Sequence, residues 1–524
     1  MKEHFRQSMA WLHTWTGLLA GWVLFFVFVT GSAAYFHAEI TRWMQPELPL
    51  RPAFSREVPV AVMLEHALDF LARQPEADRE WRIVLPQSGA RVGCGVQCGG
   101  PLRGYPSDLT VSWAGNTERL DAATGAPLPP LPRGRDTAGG ALFRDMHYQL
   151  HYLERGAFVV AVATLLALVA IVTGVIIHKR IFRDFFVFRP GGGTRAWLDG
   201  HNVAAVMALP FFVMITYSGL AYQGGDLIPA ALMAAPEPAR EVALVWDDPP
   251  LARRPALPMA ALVDAAGRVL GADEIGMVSL HHSAEHGALM TFSRLWGTEW
   301  PLVSRHGSEV NFSAETGELL DIPMGFGQQP AWKALWFFTI THVAWFAGAG
   351  LRWLLFFSGL LGGAMIATGL VLWTVKRRAR HAREGGAPSF GLRLVERLNV
   401  GVLAGLPVGI AAYFWANRLL PVSLDGRADW EADCLFFAWA WVALYALWRA
   451  PAGKAWAECL GLAAAAFGLV PLLNALTTDK HLGSTMARGD WVLAGVDLTM
   501  LACAAAFAAM AWKAGAGGAR EGGA

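Results

Sequence analysis

Apolar residues in this chain gather into long runs almost free of charge, separated by stretches where polar and apolar positions mix. Spanning a hydrocarbon core of roughly 30 Å takes about 20 helical residues. Eight runs approach or exceed that length: residues 13–37, 156–178, 201–222, 351–375, 398–418, 433–449, 455–476 and 491–512. Each predicts a transmembrane helix, because within lipid a helix satisfies its own backbone polar groups. Residues 331–375 are too many for one perpendicular span, since about 45 helical residues extend ~67 Å. A break is expected at Gly348-Ala349-Gly350. It would leave an aromatic-rich helix carrying Trp332, Trp336, His342 and Trp345 at the membrane surface, where tryptophan is favoured.

The two long segments between these runs share a faint repeat. In the first, an amphipathic stretch at 60–72 precedes strand-like pieces at 81–85 and 109–113 and a hairpin turning at Thr124-Gly125. In the second, 259–270 precedes 276–280, 289–292 and a hairpin at Thr316-Gly317. Glycine suits both turns because it adopts positive φ without steric cost. Proline-rich connectors at 127–132 and 249–255 read as stiff linkers. The predicted organisation is a first transmembrane helix (1–37), an external α+β domain (38–155), helices two and three with their loop (156–222), and a second external α+β domain with the surface helix (223–350). Helix four with a basic loop (351–397), four additional helices (398–513) and a glycine-rich, disordered tail (514–524) complete it. The fold class is thus mainly α, a polytopic bundle of about eight spans with two small external α+β domains.

Composition agrees with a membrane protein: 54% of the 524 residues are hydrophobic, only 16% are charged, and 23 are tryptophan. Lys179, Arg180, Arg183, Arg189 and Arg195 lie between spans two and three, and Lys376, Arg377, Arg378, Arg380 and Arg383 follow span four. By the positive-inside rule both loops, and both chain termini, are expected in the cytoplasm, with 38–155 and 223–350 outside. The first run lacks a small-residue cleavage site and is expected to be a retained helix. A net charge of +1, without a basic stripe beyond the cytoplasmic loops, argues against a nucleic-acid partner. Cys434, Cys459 and Cys503 fall in or beside spans and read as packing residues, whereas Cys94 and Cys98 share an external loop where a disulfide is an open alternative.

The chemistry lies in histidines at the mouths of the apolar helices. His13, His178 and His201 fall at one depth near the cytoplasmic end. His151 and His342 fall near the external end, with His147 at i, i+4 spacing from His151 as an alternate ligand or a group behind one. One such histidine ordinarily caps a helix, but two clusters near opposite leaflets suit axial ligation of two haems. His151 and His178 are 27 residues apart, roughly 40 Å of helix, and cannot serve one iron. Three candidates compete for two inner positions, and His13 with either partner is expected. Glycines at 17, 21, 174, 219, 359, 362 and 363 would let a flat macrocycle approach the backbones, although small residues also serve plain helix packing. His37, His282, His286 and His306 read as solvated or helix-end residues. No dinucleotide or flavin fingerprint is visible, so an electron donor must come from outside the chain.

Leu12-His13-Thr14-Trp15-Thr16-Gly17, the segment from Phe143 to Leu153, Thr173-Gly174 through Arg180, Gly200-His201 through Leu220, and Thr341-His342 through Trp373 together resemble the PepSY-associated transmembrane family. The resemblance covers roughly residues 5–385, including the two Thr-Gly hairpins, which are similar to PepSY-type repeats. It implies a bacterial inner-membrane protein with periplasmic PepSY-like domains and two b-type haems. It further implies a haem-dependent ferric-siderophore reductase that takes electrons from a cytoplasmic reductant or quinol and releases periplasmic iron as Fe(II). Oxygen donors of a siderophore prefer Fe(III), so reduction weakens the chelate. A siderophore or small-solute permease, and a PepSY-type regulatory protein without haem, are the alternatives. A permease would call for polar residues at mid-span, which are sparse. The four helices after residue 397 depart from the family's minimal pattern and are expected to scaffold or dock a partner.

Overall fold

The computed structural model describes residues 3–49, 57–74, 80–86, 108–130, 134–178, 193–223, 257–271, 273–283, 287–294, 309–321, 330–344 and 346–521. Cys94, Cys98, His286 and His306 lie outside the described residues. In chain order the first elements are α1 (Glu3–Ala34), α2 (His37–Met44), α3 (Val60–Leu71), β1 (Glu80–Val84), β2 (Leu109–Trp113), β3 (Asn116–Leu120), α4 (Ala141–Gln149) and α5 (Leu153–Ile177). There follow α6 (Thr194–Met207), α7 (Leu209–Tyr222), α8 (Met259–Leu270), β4 (Ile275–Ser283), β5 (Gly287–Arg294), β6 (Glu309–Ser313), β7 (Leu319–Asp321) and α9 (Pro330–Val343). The last elements are α10 (Ala349–Arg383), α11 (Phe390–Asn399), a π-helical turn (Val400–Ala404), α12 (Gly405–Leu419), α13 (Arg427–Trp448), α14 (Ala452–Thr477), α15 (Leu482–Ala487) and α16 (Trp491–Glu521). The chain forms two compact units: Met1–Glu47, Gly134–Leu227 and Ala349–Ala524 in one, Leu48–Arg133 and Ile228–Gly348 in the other.

The first unit is helical and polytopic. Among the described residues seven helices are long and apolar enough to cross a membrane, and the bent pair α6 and α7 makes an eighth if counted as one span. The pair turns by 68° at its break. Pro210, second residue of α7, has no N–H to continue the helical ladder there. Between α1 and α10 the helices approach closely through glycine. A Cβ on Gly362 would collide with the Phe28 ring, and one on Gly359 would meet the Ser32 hydroxyl. Gly17 faces open space and plays no such part.

The four additional helices are joined to this bundle by polar contacts. Asn399 accepts from Trp22 Nε1 (2.9 Å) and donates to the Leu370 carbonyl (3.2 Å), tying α11 to α1 and α10. The π turn that follows leaves the Gly401 carbonyl to accept from Trp439 Nε1 at 3.0 Å. Arg427 and Glu431 form an ion pair with both side chains fully buried. Around it, Asn417 donates to Glu431 (2.7 Å), Arg427 donates to the Asp136 carbonyl (2.9 Å), and Tyr413 donates to the Gly139 carbonyl (2.8 Å). These bonds fix the segment leading into α4. Arg418 stacks 3.8 Å over the Trp43 ring, whose Nε1 donates to the buried Asp497 at 3.0 Å.

The second unit contains both α+β repeats, and they share one sheet. Its seven antiparallel strands run in the order β3-β2-β1-β4-β5-β6-β7, with β1 of the first repeat paired to β4 of the second at Arg82↔Ser279 and Ile83↔Val278. The expectation of two small domains is therefore corrected to two repeats in one continuous sheet. Alternation explains the single core. Trp81, Ile83, Val278, Leu280, Met290, Phe292, Val310 and Phe312 fall on one face and pack against Leu64, Leu68, Leu262 and Ala266 of α3 and α8. Both hairpin glycines adopt positive φ, 67° at Gly125 and 75° at Gly317. Asp121 braces the first turn by accepting from the Thr124 amide and hydroxyl, each at 2.8 Å, which holds its carboxyl below the usual carboxylate range.

Candidate functional site

Three histidines of the helical unit lie against neighbouring helices in one repeated geometry. His13 of α1 places Nδ1 2.9 Å from the Ala170 carbonyl of α5. His201 of α6 places Nδ1 2.8 Å from the Met365 carbonyl of α10. His147 of α4 places Nδ1 2.8 Å from the Val27 carbonyl of α1. Four residues beyond each carbonyl stands a glycine beneath the ring: Gly174, Gly369 and Gly31. A Cβ there would come within 3.1 Å of His13, 3.1 Å of His201 and 2.5 Å of His147. Before each glycine is a threonine whose hydroxyl donates to the same carbonyl: Thr173 to Ala170 (3.1 Å), Thr368 to Met365 (2.9 Å) and Thr30 to Val27 (3.3 Å). Ser218 repeats the internal bond to Ile215 (3.3 Å), one residue before Gly219.

A carbonyl only accepts, so these bonds assign the proton of each neutral imidazole to Nδ1 and leave a lone pair on Nε2. This is how proteins prepare a histidine to ligate a metal. The His13 and His201 rings also face each other, with centroids 6.3 Å apart and planes at 70°. Among the described residues neither Nε2 has a hydrogen-bond partner. Two axial imidazoles, each about 2 Å from a shared metal and with the ring centre about 1.1 Å behind the nitrogen, would stand about 6.2 Å apart. The observed centroid separation agrees with that expected for two imidazoles that would hold one metal. Among the described residues no three or more His, Cys, Asp or Glu side chains converge on a bare ion.

The other sequence candidates are placed differently. His178 ends α5 with its Nε2 buried and without a partner. His151 is exposed and lies beyond the end of α4 at φ 61°, its ring 5.6 Å from that of Phe436. Of the neighbouring pair, His147 rather than His151 has the geometry shared by His13 and His201. His342 is on α9, partly buried in the second unit. His37 bonds the Ala34 carbonyl at 3.0 Å, and His282 lies on β4. The signal that singles out His147 is the threonine-glycine pair on the receiving helix, present in the sequence as Thr30-Gly31, Thr173-Gly174 and Thr368-Gly369.

Residues 10–376 match the PepSY-associated TM region. The chain belongs to that family. The matched PepSY-associated region contains all six candidate histidines and ends before α11, so the last helices are additional to it. The chain is also similar to an uncharacterized protein of Pseudomonas aeruginosa, 28% identical over an alignment of 391 residues that covers 71% of this chain and 94% of the relative.

Proposed function

We propose that this PepSY-associated protein is a di-haem membrane oxidoreductase, in which His13 and His201 would hold one b-type haem. The observation that carries the reading is the 6.3 Å separation of two imidazoles whose Nδ1 atoms are both bonded to carbonyls. His147 is assigned to the second haem because its ring is held in the same way. Its second ligand is left unassigned, since His342 belongs to the other unit. His178 and His151, the remaining candidates, are left outside the ligand sets. Haem bound at these sites would supply one-electron exchange between Fe(III) and Fe(II).

The chain's residues do the rest. Carbonyls of Ala170, Met365 and Val27 orient the rings and raise ligand basicity, while the apolar helices exclude water from the sites. His13 and Val27 are 14 positions apart on α1, about 21 Å along the axis, so the sites divide the membrane thickness into two shorter steps. With the basic loop after α10 in the cytoplasm, electrons from a cytoplasmic reductant or quinol would reach the His13 end first. They would leave at the His147 end toward a periplasmic ferric siderophore and release Fe(II). Stopped-flow mixing of dithionite-reduced protein with a ferric hydroxamate or catecholate chelate tests this. Reoxidation of the haem spectrum together with capture of Fe(II) by ferrozine is expected; an unchanged reduced spectrum with both chelates contradicts the reductase activity.

A further inference from the structure

Close to His13 and His201, the end of α10 gathers hydrogen-bond donors that the axial pair does not use. Trp373 lies one turn beyond Gly369, against which His201 rests, and its Nε1–H is buried with no acceptor. Arg377, a further turn on, has its guanidinium carbon 4.1 Å from the Trp373 ring centre and 5.9 Å from that of Trp15 on α1, two residues past His13. Lys376 is within electrostatic reach of both His13 and His201, and His178 is within reach of His201. His178 adds a second buried, unpartnered nitrogen. Among the described residues Asp199, two residues before His201, has Oδ1 3.8 Å from Arg195 and Oδ2 unpartnered. With Asp199 facing Arg195, Lys376 and Arg377 have no carboxylate partner among the described residues, so they supply surplus positive charge there.

We propose that Trp373, Lys376, Arg377 and His178 anchor the carboxylates of a tetrapyrrole dicarboxylate held between His13 and His201, an inference that rests on the haem reading above. An indole, a guanidinium and an ammonium can only donate, so the complementary group must accept, and the surplus cations select an anionic one. A buried N–H left without an acceptor is destabilising, which makes the Trp373 indole a donor awaiting a ligand atom. The third inner histidine acquires a role by the same logic. With a proton on Nε2, His178 donates to a carboxylate instead of binding iron.

Transfer of haem from the purified full-length protein to excess apomyoglobin reads the anchor separately from activity. Trp373→Phe and His178→Phe should each keep the six-coordinate low-spin spectrum yet release one of the two haems roughly ten- to a hundredfold faster, as expected for a lost hydrogen bond to a charged group. His178→Gln, which retains a donor, should restore slow release. Independently of any substitution, wild-type protein reconstituted with iron protoporphyrin IX dimethyl ester should release that haem as fast as Trp373→Phe releases the free acid. Equal release of ester and free acid, or unchanged release from both Phe variants, would overturn the anchor while leaving the haem reading standing. Wild-type protein that holds no haem overturns the parent reading and the anchor with it.

Discussion

His147 and Gly31 carry the sharpest consequence at the scale of single residues. A Cβ at position 31 would sit 2.5 Å from the imidazole Nδ1, so Gly31→Val must drive the ring off the Val27 carbonyl. Haem content is expected to fall from two to one per chain, as in His147→Ala, whereas His151→Ala should retain two; a pyridine haemochrome assay checks all three. The i, i+4 spacing of His147 and His151 suggested equivalent sites because it presumes a continuous helix. In the structure α4 ends at Gln149, and Leu150, His151 and Leu153 adopt φ values of 51°, 61° and 52°. That turn carries His151 into the exposed surface. Local spacing therefore revealed a histidine cluster but not which member is presented to a neighbouring helix, since that depends on a glycine more than a hundred positions away.

Among the elements, the helices beyond the family region show the clearest contribution to stability. Glu431 on α13 is buried against Arg427 and receives a bond from Asn417, and through Asp136 and Gly139 this cluster grips the segment that begins α4. Removing one partner of a buried ion pair strands the other, which typically costs about 3–5 kcal/mol. Glu431→Gln should lower the thermal midpoint in detergent markedly, whereas Glu384→Gln, whose Arg380 contact is solvent-exposed, should leave it nearly unchanged. In the sheet unit, hydrogen bonds from the Thr124 hydroxyl and amide lower the Asp121 carboxyl below its unfolded value. Its stabilisation is present above the unfolded pKa, about 3.8, and is lost as pH falls through the lower folded value. The difference in thermal midpoint between wild type and Asp121→Asn should therefore be larger at pH 7 than at pH 3. The Thr-Gly turn was legible in sequence because φ > 0 selects glycine there. The Arg427–Glu431 pair was not, since a polar residue near a helix end reads equally well as solvated.

For the whole molecule, hydropathy alone revealed the helical spans, because each must cover the hydrocarbon with its own residues. The shared sheet was hidden, since β1 and β4 lie nearly 200 positions apart and edge pairing between repeats leaves no periodic mark. The proposed electron path would depend on haem held by His13 and His201, and haem stoichiometry across ligand variants tests that proposal most directly. Two haems per wild-type chain are expected, with His13→Ala, His201→Ala and the double variant each retaining one and the same haem by its reduced spectrum. A colourless wild type, or an additive loss in the double variant, would contradict ligation of one iron by these two residues.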